Sequence, residues 1–114
     1  MEVILNKEQR RVRRLHEKLL ALGAMLPGSL SEQWNVCGTP GCKCKDRDNP
    51  VKHGPYYQLS FTVAGKSSTM FVKKRDVHEV KRRIKRYRQF KDLTTELVQA
   101  YVALARQDGF GRKP

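Results

Sequence analysis

Three cysteines and a histidine, Cys37, Cys42, Cys44 and His53, lie within one short stretch near the middle of the chain. Three thiolates and an imidazole complete the tetrahedral set of a closed Cys3His zinc site without a ligand borrowed from elsewhere. Gly38, Pro40 and Gly41 suit the sharp reversal that brings Cys37 and Cys42 onto one ion. Lys43, Lys45, Arg47 and Lys52 place positive charge beside the sulfurs and favour the deprotonated form that metal binding requires. The expectation is therefore a structural Zn2+ ion. Two other readings stand beside it: reduced, partly buried cysteines with His53 bonded to backbone in a turn, or a redox or catalytic cysteine. Four protein ligands leave no open position, and no nearby Glu is placed as a general base, so no enzyme activity is expected. Asp46 and Asp48 are the only acidic pair near the loop, and no cluster suited to a hydrolytic metal accompanies them. His16 and His78 fall in helical stretches and read as surface or seam residues, with His78 the substitute should His53 not ligate.

The second chemical signal is charge. Lys and Arg number 24 against 11 Asp and Glu, for a formal net charge of +13. Such an excess repels itself in a compact chain and is relieved by a polyanion, so nucleic acid is the first reading and an anionic membrane surface the second. A solvated basic surface that keeps the protein monodisperse is the third. The basic residues form three groups: Arg10, Arg11, Arg13 and Arg14; Lys73, Lys74 and Arg75; and Lys81, Arg82, Lys85, Arg86 and Arg88. One such group reads equally well as a solvated face; three together favour phosphate contact. Trp34, Tyr56, Tyr57 and Phe61 alternate along strands among basic neighbours, and exposed aromatics on a sheet can stack unpaired bases. In so small a core, packing is expected to take Trp34, Phe61 and one of the two tyrosines, which point opposite ways.

These residues need a frame. Asn6 can cap a helix over residues 6–26, in which Val12, Leu15, Leu19, Leu22 and Leu26 recur at spacings of three and four. Residues 29–72 hold three β-type runs, 30–36, 56–63 and 68–72, with the cysteine loop 37–53 between the first two. Ala64-Gly65-Lys66 supplies a tight turn for an antiparallel hairpin. Residues 76–106 contain no Pro or Gly and form a long helix, with Asp76 and Glu79 in a capping arrangement. The fold expected is α+β: an N-terminal helix, a three-stranded antiparallel sheet with a zinc-stapled loop, and a long C-terminal helix. This α-β-β-β-α frame makes one domain over residues 1–107, with a flexible tail at 108–114. The far half of the long helix must bury its apolar positions against the first helix, against a second copy in a homodimer, or both. No run approaches the length of a membrane span, and a membrane partner is not expected. The chain reads as cytoplasmic, where an odd number of cysteines does not make a disulfide framework.

Pro27-Gly-Ser-Leu-Ser-Glu-Gln-Trp34, Cys37-Gly-Thr-Pro-Gly-Cys-Lys-Cys44 and His53-Gly-Pro-Tyr-Tyr57 with Leu59-Ser60 follow in this order. Over roughly residues 27–100 the chain resembles an uncharacterised family of small basic bacterial and archaeal domains often associated with mobile elements. The resemblance implies that Cys37, Cys42, Cys44 and His53 act as a unit, and it favours DNA over RNA as the partner. The function expected is nucleic-acid binding through basic helices, as a mobile-element or phage accessory or regulatory factor. The alternative is a protein-interaction module, an accessory subunit whose helix segment from Leu93 to Leu104 docks on a larger enzyme.

Overall fold

The structure is a computed structural model and describes residues 5–110. It has the expected α+β make-up and divides into two compact units, one from the described parts of Met1–Met25 and Lys85–Pro114, the other from Leu26–Ile84.

The first unit contains α1, Lys7–Ala21, and the larger part of α2, a helix over Val77–Asp108. Asn6 caps α1 in a reciprocal box: its side chain accepts from the Gln9 N–H at 2.8 Å, while the Gln9 amide oxygen accepts from the Asn6 N–H at 2.9 Å. Two of the orphan N–H groups at the helix start are thereby satisfied. The helix stops well short of residue 26, because Gly23 takes φ of +78°, a left-handed conformation that breaks the ladder. Leu26 instead belongs to the second unit, its N–H bonded to the Arg83 carbonyl at 3.0 Å. Within the first unit α1 runs antiparallel to the far half of α2: His16 Nε2 meets the Tyr101 hydroxyl at 3.0 Å, and Arg86 donates to the Ala24 carbonyl at 3.1 Å. Leu15 and Ala100 are its buried positions. The far half of the long helix thus covers part of its apolar surface with the first helix, one of the two solutions open to it. Val98, Tyr101 and Val102 remain exposed.

The second unit is a sheet of β1, Ser29–Asn35, β2, His53–Val63, and β3, Lys66–Val72, antiparallel in that order. Strand alternation places Tyr57, Leu59 and Phe61 on one face of β2. There Leu59 and Val72 join Ile84 of α2 in the buried core, with Leu26, Leu30, Tyr57, Phe61, Val77 and Val80 packed around it. The β2–β3 turn has φ of 52° at Ala64 and 77° at Gly65, closing the Val63↔Lys66 pair. Positive φ at both central residues is the mark of the type I′ turn, whose twist matches that of the strands it joins. Gly28 crosses close above β2: a Cβ there would strike the Ser60 carbonyl and the Phe61 Cβ.

Two further details depart from the sequence reading. Trp34 is about half exposed, because the register shifts between Gln33 and Asn35 and the bulge removes it from the inward alternation. A single 3-10 turn, Lys74–Asp76, leads into α2, with the Asp76 N–H bonded to the Lys73 carbonyl. The Glu79 carboxylate meets Arg82 and Arg83. The long helix also runs on to Asp108, two residues beyond the expected end; of the expected tail, residues 111–114 lie outside the described residues.

Candidate functional site

The loop between β1 and β2 leaves the sheet after Asn35 and returns to it at His53, which is the first residue of β2 and the register partner of Asn35. His53 is therefore fixed by the ladder, while the cysteines are placed by the loop itself. The Cys42 N–H bonds to the Thr39 carbonyl, the Lys45 N–H to that of Cys42, and the Asp46 N–H to that of Lys43. These bonds close a single 3-10 turn, Lys43–Lys45, that points Cys44 inward. The Val51 N–H bonds to the Lys43 carbonyl at 2.9 Å and folds the spacer back onto the turn. The long charged spacer from Asp46 to Lys52 thus reverses on itself, with the Asp46 carboxylate accepting from the N–H groups of Asp48 and Asn49.

This folding brings together all four residues expected from the sequence. The ligand atoms of Cys37, Cys42, Cys44 and His53 all lie within 4.8 Å of one another. Cys37 Sγ is 3.5 Å from Cys44 Sγ, and Cys42 Sγ is 3.1 Å from His53 Nε2. Around a tetrahedral ion with bonds of about 2.3 Å to sulfur and 2.0–2.1 Å to nitrogen, the edges are about 3.8 Å for S–S and about 3.6 Å for S–N. These two edges would open by about 0.3 and 0.5 Å, and edges as long as 4.8 Å would close by about 1 Å, so the four residues could hold a metal ion after a small adjustment of the loop. Cys44 is buried and the other three are half-buried. The Cys37 N–H donates to Cys44 Sγ at 3.3 Å, a bond that stabilises negative charge on that sulfur.

The electrostatics have the same sense. A hydrogen bond from the Thr39 backbone, seconded by Cys42, lowers the Cys37 thiol to about 6. Backbone bonding at Cys44 lowers Cys42. The Cys42 sulfur in turn raises His53 by accepting a hydrogen bond from its ring N–H. Burial raises Cys44. Two of the three sulfurs are thus biased towards thiolate before any ion arrives, and an ion would take the place of the protons the group now shares.

The basic residues divide by environment. On α1, Arg11 lies 3.8 Å from Glu8 in a half-buried pair, and Arg13 lies 3.5 Å from Glu17 in an exposed pair of small energetic weight. Arg10 donates to the Leu5 carbonyl at 2.7 Å, and Arg14 is exposed. Lys73, Lys74 and Arg75 are exposed at the end of β3 and through the 3-10 turn. On α2, Lys81, Lys85 and Arg88 are exposed, and Arg82 pairs with Glu79 at 3.5 Å. Arg86 is half-buried on the Ala24 carbonyl, a position that serves the helix pair more than the surface. Sequence reasoning missed the exposed aromatic Phe71. The signal available was its place between Met70 and Val72, which strand alternation sends to the other face.

Among the described residues, no helix is long and apolar enough to cross a membrane. Residues 5–82 match the domain of unknown function DUF6788, and the chain belongs to that family. The match takes in α1, the sheet, the cysteine loop and the first turns of α2; it begins earlier than the resemblance read from the motifs and ends short of residue 100. No curated protein and no solved structure matches the chain.

Proposed function

We propose that this DUF6788 member is a nucleic-acid-binding protein, with DNA favoured over RNA, whose cysteine loop is fastened by one structural zinc ion. The observation that carries the metal assignment is the convergence of three sulfurs and one imidazole nitrogen within 4.8 Å. Soft thiolates with an imidazole in a four-coordinate set suit zinc, while hard cations prefer oxygen ligands. With its coordination filled by protein, the ion fastens the loop and has no position to offer a substrate. The protein is therefore read as a binding module, working inside the cell where its thiols stay reduced.

The nucleic-acid assignment rests on the charge of +13 together with the exposed cations Lys81, Lys85 and Arg88 on α2. Phosphate contact releases counterions, so affinity should fall steeply as salt rises. The test is a titration against labelled duplex DNA, single-stranded DNA and RNA at several salt concentrations, with metal measured on the same sample. One equivalent of zinc and steeply salt-dependent binding are expected. Absence of binding at low salt would remove the nucleic-acid reading, and absence of metal would remove the zinc.

One observation favours a second reading. Val98 and Val102, one helical turn apart on α2, are 61% and 45% exposed, and Tyr101 is 48% exposed. An apolar strip of this kind fits a protein partner, either a second copy or a larger enzyme. A mass in solution that rises with concentration and ignores nucleic acid would support it.

A further inference from the structure

We infer that the open face of the sheet binds single-stranded DNA, stacking unpaired bases on Tyr56 and Phe71. The inference rests on the nucleic-acid reading above and assigns it a surface and a strand type.

The sheet of the second unit has one face on the core and one without cover from that core. Tyr57, Leu59, Phe61 and Val72 take the core face, so Tyr56, Gln58 and Phe71 take the other. Tyr56 is 40% and Phe71 67% exposed. A ring of that size left in water on a folded strand is a candidate contact, and here there are two on neighbouring strands. Phe71 is the register partner of Gln58, and Tyr56 is that of Gln33. The two residues are therefore diagonal neighbours, their backbone positions roughly 7–8 Å apart by sheet geometry, close enough for their rings to meet neighbouring bases on one strand.

Each ring has an amide beside it. Gln33 Nε2 donates to Gln58 Oε1 at 3.1 Å. That bond uses one amide's donor and the other's acceptor, leaving a carbonyl oxygen and an NH2 group available to base edges. Gln33, Asn35, Tyr56, Tyr57, Gln58 and Phe71 together line a shallow hollow of about 230 Å³. Aromatic walls with amide edges are the means by which sheet proteins hold unpaired bases.

The charge of the face fits a polyanion. Its strand residues are Ser, Thr and Gln with the two aromatics and no carboxylate; Glu32, the partner of Tyr57, belongs to the core face. Lys73 continues β3 in extended backbone, with φ of −69° and ψ of 146°, and alternation keeps it on the Phe71 side. A cation thus stands at the end of the aromatic row where a phosphate would pass. A duplex cannot use this surface in the same way, because its base faces are already stacked on one another.

The experiment measures binding of labelled oligothymidylate, a duplex of equal length and oligouridylate to the full chain. It compares the wild type with Tyr56→Ala, Phe71→Ala and the double variant. Both side chains are exposed, so the variants should keep the wild-type circular dichroism and melting temperature; Tyr56→Phe, which keeps the ring, should bind as wild type. Each alanine should weaken binding to the single strand by roughly five- to 150-fold and leave duplex binding unchanged. Single-strand binding equal to wild type in the folded double variant overturns the inference and leaves the nucleic-acid reading standing. Failure of the wild type to bind any of the three probes overturns both. Tighter binding of oligouridylate through the same two rings overturns the choice of DNA.

Discussion

Replacing Cys42 with Ser tests whether an ion holds the loop. The substitution removes one sulfur from the cluster and breaks the 3.1 Å contact to His53. Its cost can be worked from the loop. Fixing residues 36–52 in one conformation costs on the order of 15–20 kcal/mol, at about 1 kcal/mol per residue. Against this stand the backbone bonds of Cys42, Lys45, Asp46 and Val51, each contributing about 1 kcal/mol, and burial of one small side chain, Cys44. The deficit is about 10 kcal/mol or more, comparable to the roughly 10–16 kcal/mol that a structural zinc ion supplies. Without the ion the loop should therefore melt while the sheet survives, since Leu59, Val72 and Ile84 form a core that owes nothing to the cysteines. Hydrogen exchange read by mass spectrometry should show residues 36–52 unprotected in Cys42→Ser, with the β2–β3 ladder as protected as in the wild type, and metal analysis should show the zinc gone. Unchanged protection of the loop, with no metal in the wild type either, would refute the reasoning. It would return the cysteines to the role of small packed residues, whose replacement costs about 1 kcal/mol.

Other outcomes follow from the same geometry. Converting Lys81, Lys85 and Arg88 together to Ala should flatten the plot of log affinity against log salt on duplex DNA by about 0.9 for each phosphate no longer neutralised, with no change in melting temperature. Ala64→Gly should stabilise the protein by about 0.5–1 kcal/mol in denaturant titration, because the left-handed conformation costs a side chain about 1–2 kcal/mol and glycine's extra chain entropy returns only part of that; a loss of stability would argue against the type I′ turn. Gly28→Ala should destabilise by roughly 2–4 kcal/mol, since the new methyl meets the backbone at Ser60 as well as an unfavourable φ of +94°. Chelation of the zinc should leave the salt slope on duplex DNA nearly unchanged.

The legible parts of this chain were those written locally. The capping box at Asn6, the hairpin turn at Ala64-Gly65 and the helical spacing from Val77 onward depend on neighbours in sequence. The cysteine cluster was legible for a different reason: ligand chemistry limits what three thiols and a histidine so close together can do, whatever the path between them. What escaped was set by contacts distant in sequence. Leu26 has helical spacing with α1, yet once Gly23 has ended that helix its N–H goes to the Arg83 carbonyl. Trp34 was assigned to the core because alternation puts it there, and alternation fails at a bulge that depends on how β1 pairs with β2. Arg86 reads as a surface cation from its spacing, whereas its guanidinium donates to the Ala24 carbonyl, a contact across 62 residues.

The +13 charge need not serve one purpose, and the metal site separates its parts. With a divalent ion bound as proposed, the three thiolates would carry a net charge of −1, in a loop that also holds Asp46 and Asp48. Lys43, Lys45, Arg47 and Lys52 offset these charges and bring the loaded loop close to neutrality. On the proposed metal site their nearness to the sulfurs would serve the ion, leaving little surplus for a phosphate backbone. The surplus lies on the helices and at the end of β3. This is why removal of the ion and removal of the α2 cations should act on different observables: the first on the order of one loop, the second on the dependence of binding on salt.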